Sequence, residues 1–74
     1  MTSCDFLLEC TLSELYALED DARDRVTFAR GKQETQKALS WQRCIFWAQF
    51  IVRDGALEYT ARAFNRARKA FLSL

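Results

Sequence analysis

Seventy-four residues make one domain with one core, and a chain this short buries only about 60% of the surface it exposes when unfolded. Half of the residues are hydrophobic and ten are aromatic, which excludes disorder, while two glycines and no proline remove the turn punctuation of a β-rich fold. A net charge of +1 leaves no long-range field for nucleic acid or an anionic membrane.

The distribution of that charge is uneven. Residues 1–24 carry seven acids and one base, Arg23, whereas residues 25–74 carry ten bases and three acids. The asymmetry predicts that the acidic first element packs or pairs with the basic later ones, within the chain or across a dimer.

In chain order, residues 3–10 predict a short helical turn, since Phe6, Leu7 and Leu8 must be hidden. Thr11, Leu12, Ser13 and Glu14 then take the S/T-x-x-E form of a capping box. Leu12, Leu15, Leu18 or Glu19, Ala22, Val26 and Ala29 recur at spacings of three and four, so a first helix is expected over 12–30. Glu19–Arg23 and Asp21–Arg25 are acid-first i,i+4 pairs, and Gly31 is the expected left-handed stop.

A second helix is expected over 34–53, ending at Asp54-Gly55. At 100° per residue, Ala38, Trp41, Cys44, Ile45, Ala48, Ile51 and Val52 share one broad face. Leu39, Phe46 and Phe50 fall nearly opposite, with Arg43 beside them and Trp47 at the margin. A helix apolar on two sides is covered on two sides, which places this helix at the centre. A third helix is expected over 56–72, with Leu57, Thr60, Phe64, Ala67, Phe71 and Leu74 as a narrow packing seam. Ala56, Ala63 and Ala70 flank that seam, and Arg62, Arg66 and Lys69 stand together on the other side. The expected fold is all-α, a compact three-helix bundle of one domain over residues 1–74, open to completion as a homodimer.

Residues 44–67 resemble part of a tetratricopeptide repeat. Trp47, Ala48, Gly55, Phe64 and Ala67 stand at its leucine, glycine, inter-helix glycine, phenylalanine and alanine positions, while the tryptophan and tyrosine of the pattern and any second copy are missing. The resemblance implies a tight helix hairpin and assigns no family.

The residues point away from catalysis. Histidine is absent, and Gly-rich phosphate loops are absent as well. Cys4 and Cys10 lie among acids, which raises a thiol pKa, and Cys44 lies on the broad apolar face. Three thiolates with no histidine and no C-x-x-C pair do not complete a zinc site, so neither metal nor cofactor is expected. Reduced cysteines, no signal-peptide pattern and an apolar run of only nine residues, Cys44–Val52, predict a cytoplasmic protein with no membrane span.

Two binding classes remain. Aromatics and arginines dominate binding hot spots, so Leu39, Arg43, Phe46, Trp47 and Phe50 are the candidate partner-binding set, for another protein or for self-association. The expected role is a non-catalytic adaptor or inhibitor, in the manner of small phage- or plasmid-encoded modulators. The runner-up is a DNA-associated regulator that lays Arg62, Arg66 and Lys69 along phosphates. The acidic stretch Glu19–Asp24 also has the charge density of a phosphate mimic, although acids at a helix start are ordinarily solvated.

Overall fold

A computed structural model describes residues 4–74, and every regular element in it is helical. A 3₁₀ segment, Asp5–Glu9, precedes α1 (Leu12–Phe28), α2 (Lys32–Asp54) and α3 (Glu58–Leu72). The short turn expected at the N-terminus is therefore present, but of the three side chains expected to be hidden Leu7 alone is buried, while Phe6 and Leu8 are exposed; the part of that expectation falling on Ser3 lies outside the described residues.

Each helix boundary has a local cause. At α1 the capping box closes in both directions: Thr11 N–H donates to Glu14 Oε1 at 2.9 Å, and Glu14 N–H donates to Thr11 Oγ1 at 3.2 Å. The far end differs from expectation. α1 stops at Phe28, Ala29 is extended, and Gly31 opens α2 at φ 85° and ψ 161° instead of closing α1. Reversing the chain over so few residues needs a positive φ next to the second helix. Gly31 supplies it, and its carbonyl accepts from Thr35 N–H and Thr35 Oγ1 at 3.1 and 2.8 Å. α2 consequently begins at Lys32, two residues before the expected start.

Gly55 closes α2 at φ 88°, its N–H donating to Ile51 C=O at 2.8 Å. α3 then starts at Glu58 and not at residue 56, because the Thr60 hydroxyl accepts from Leu57 N–H at 3.1 Å and donates to Leu57 C=O at 3.0 Å. Ala56 and Leu57 thus belong to the connection. Leu57 and Leu74, expected at the ends of the seam, are exposed, and the buried part of α3 is Thr60, Phe64 and Ala67. The tight hairpin implied by the repeat-like residues is formed by α2 and α3 around Gly55.

At about 1.5 Å per residue, the 23 residues of α2 reach the full 35 Å long axis of the molecule. α2 packs against α1, α3 and the 3₁₀ segment, whereas α1 and α3 barely meet. Gln49 of α2 donates to Glu19 of α1, and Trp47 of α2 meets Tyr59 of α3, so the two outer helices take opposite flanks. The result is a three-helix bundle with α2 central. Its core is built on small side chains where elements cross, Cys4, Ala22, Cys44, Ala48 and Ala67, with Leu7, Leu15, Ile45 and Phe64 filling the space between them.

The 3₁₀ segment works as a strap. Cys4 Sγ lies 3.9 Å from Cys44 Sγ, Leu7 is fully buried, and Asp5 pairs with Arg68 of α3 at 3.0 Å. Pairing of the acidic first helix with the basic later ones is otherwise not how the charges are arranged. Glu19 and Asp20 pair with Arg23 at 3.2 and 3.8 Å, and Asp21 pairs with Arg25 at 2.9 Å, all within α1. An i,i+4 neighbour is always within reach, whereas α3 lies beyond α2. Among the described residues no helix is long and apolar enough to cross a membrane.

Candidate aromatic and arginine surface

On α2, Phe46 and Phe50 are one helical turn apart and Trp47 lies between them on the α3 side. Their rings meet edge-to-face or tilted: Phe46–Phe50 at 5.1 Å, Phe46–Trp47 at 5.2 Å and Trp47–Phe50 at 5.7 Å between centroids. Tyr59, in the first turn of α3, completes the group by standing edge-on to Trp47 at 5.6 Å. The Arg53 guanidinium lies 5.0 Å from the Phe50 ring centre, steadied by two hydrogen bonds to Asp54 Oδ2 at 3.0 and 2.9 Å.

The cluster sits outward. Phe46 remains 43% exposed and Tyr59 71% exposed, while Leu39, Trp47 and Phe50 are half-buried and Arg43 is exposed. The strap is elsewhere, against Trp41 and Cys44 on the broad face. Tyr59 is a member that the sequence pattern does not single out. It stands outside the α3 seam, and only the α2–α3 crossing brings it to Trp47.

The same crossing joins the two sets of candidate residues. Arg43 and Trp47 of α2 line a groove of about 330 Å³ together with Tyr59, Arg62 and Arg66 of α3. Arg43 and Trp47 of the partner-binding set and Arg62 and Arg66 of the nucleic-acid set therefore share one surface. Lys69 does not line this groove. Arg62 pairs with Glu58 at 2.6 Å, whereas Arg43 and Arg66 form no ion pair among the described residues.

A second concavity, about 660 Å³, lies at the other end of α2 and was not legible from periodicity. Four rings from four elements line it: Phe6 of the strap, Phe28 of α1, Trp41 of α2 and Phe71 of α3. Trp41 stacks at a tilt on Phe71 at 5.2 Å and on Phe6 at 6.2 Å, and Lys37 Nζ lies 5.5 Å from the Phe71 ring centre. Phe28, 77% exposed, falls off the apolar stripe of α1, which is the one signal the sequence carries for this cleft.

The thiols are placed for packing. Burial, and then the neighbouring Cys4, push the Cys44 thiol up to about 12. Cys10 is also raised, by burial first and then by Glu14 and Glu9. At neutral pH such groups stay protonated and are poor nucleophiles. Among the described residues no three cysteine, aspartate or glutamate side chains converge as a metal site would require. The exposed surface offers rings and guanidiniums, the chemistry of recognition. Compared with protein-family models, curated protein sequences and solved structures, the chain matches none.

Proposed function

We propose that this protein is a non-catalytic interaction module, an adaptor or inhibitor, that binds a partner protein or a second copy of itself through Leu39, Arg43, Phe46, Trp47 and Phe50. The observation that carries this reading is the outward ring cluster on α2, with Phe46 43% exposed beside Trp47, Phe50 and Tyr59. Fully burying one phenylalanine stabilises by roughly 1.5–3 kcal/mol, so a covering partner gains from a patch already ordered by its own ring contacts. Cys10 and Cys44, which form no disulfide among the described residues, and the compact size fit a cytoplasmic protein of the kind that phages or plasmids use to modulate a host protein.

The test is Phe46→Asp or Phe50→Asp, followed by sedimentation and circular dichroism. We expect association to weaken at least tenfold while helicity is kept. Loss of helicity together with association would reduce the patch to ordinary core.

A second reading, a DNA-associated regulator, draws on the groove that Arg62 and Arg66 share with Arg43. Replacing Arg62, Arg66 and Lys69 together by glutamine separates the two. Under the interaction reading, partner binding still depends on Phe46 in the triple variant, however far the lost arginines weaken it. Tight, salt-dependent DNA binding by the native protein, lost in the triple variant, would favour the regulator.

A further inference from the structure

We infer that the partner presents an acidic segment, an apolar side chain flanked by carboxylates, which seats the apolar group on Phe46 and Phe50 and the carboxylates in the arginine groove. This rests on the interaction reading above and adds Tyr59, Arg62 and Arg66 to its site. Trp47 and Tyr59 belong both to the ring cluster and to the groove, so the apolar and cationic parts form one continuous surface. Buried Ser40 and Ala67 line the groove as well, and these small side chains leave room between the helices.

Charge complementarity names the occupant. Three guanidiniums line this groove, and no acidic side chain lines it with them. Arg43 and Arg66 have no ion pair among the described residues, and the partner of Arg62, Glu58, is as exposed as Arg62 itself. The acids of α1 cannot supply the missing charge, since α1 lies on the opposite flank of α2, where Glu19, Asp20 and Asp21 are moreover engaged with Arg23 and Arg25. Guanidinium forks match carboxylates in a bidentate geometry that fixes register as well as affinity. A nucleic-acid strand fits less well. The groove is short, Lys69 does not extend it, a net charge of +1 gives little field for a polyanion, and a phosphate track leaves the phenylalanines unused.

The experiment is selection of a random-peptide display library on the full chain, with synthetic copies of the selected peptides measured on native protein, Arg43→Gln/Arg66→Gln and Phe46→Asp. We expect selected peptides to combine an apolar residue with two or more acids. Their Kd should weaken roughly tenfold when the acids become amides, and comparably in the double arginine variant. Should Phe46→Asp unfold by circular dichroism, Tyr59→Ala takes its place.

Peptides without acid enrichment, or equally tight on the arginine variant, overturn this inference while the interaction reading stands if Phe46→Asp still abolishes binding. A library that yields no peptide sensitive to either variant overturns both. Random single-stranded DNA bound more tightly than the peptides, through Arg43 and Arg66, assigns the groove to nucleic acid and overturns the acidic partner. A homodimer broken by Arg43→Gln/Arg66→Gln does the same in favour of a second copy.

Discussion

Cys44 shows how one position couples packing to solution conditions. Its side chain is fully buried, with Cys4 Sγ 3.9 Å away, and its pKa is pushed up from the ordinary 9.0 to about 12. An unfolded cysteine releases its proton near 9 while the folded one keeps it, so the unfolded state binds fewer protons between these values. Stability is therefore undiminished below pH about 9 and falls as pH rises toward 12. Thermal melts at pH 8 and pH 11 should show a larger alkaline drop in Tm for the native protein than for Cys44→Ala. Equal drops would mean that groups common to both proteins, Cys10 with its own raised pKa among them, account for the whole effect. The sequence places Cys44 on the apolar face by its spacing alone; its proximity to Cys4, 40 positions away, is not written in any local pattern.

At the scale of elements, the helices owe their ends to a few side chains and two glycines. Gly55 sits at φ 88° and ψ 164°, a region essentially restricted to glycine, and a Cβ built there would meet nothing within 4 Å. Conformation and not space is what demands glycine. Gly55→Ala is expected to destabilise the domain by about 1–3 kcal/mol in denaturant unfolding, with helicity intact. A change below a few tenths would show that the α2–α3 connection relaxes freely. Gly31 illustrates the complementary point. Its residue type marks a break correctly, yet whether it closes α1 or opens α2 depends on the direction in which the next helix must leave. The two-sided apolarity of α2 was legible because a 3.6-residue period assigns every side chain to a face, whereas its ends were marked by Gly31 and Gly55.

For the molecule as a whole, the strap is the element on which the bundle depends beyond its three helices. α1 and α3 barely touch, so the broad face of α2 would be open between them without Cys4 and Leu7. Leu7 is fully buried, and removing most of its side chain leaves a cavity that short 3₁₀ backbone cannot close. Leu7→Ala should cost about 2–5 kcal/mol by denaturant unfolding, a large part of the stability of a domain this small. A loss under about 1 kcal/mol would mean that the strap is an appendage and the helices suffice.

What the chain determined by itself is the set of helices, the capping box at Thr11 and Glu14, the breaks at Gly31 and Gly55 and the faces of each helix. All of these rest on hydrogen bonds and side-chain neighbours within a few residues, so a linear pattern contains them. The tertiary structure decided which faces meet. It set Asp5 against Arg68, 63 residues apart, and gathered Phe6, Phe28, Trp41 and Phe71 into one cleft. It also brought Tyr59 to Trp47 and merged Arg43 with Arg62 and Arg66, joining members of two separate candidate sets in one surface. Such contacts follow from the order and crossing of helices around α2, a property of three-dimensional packing that no spacing along the chain encodes.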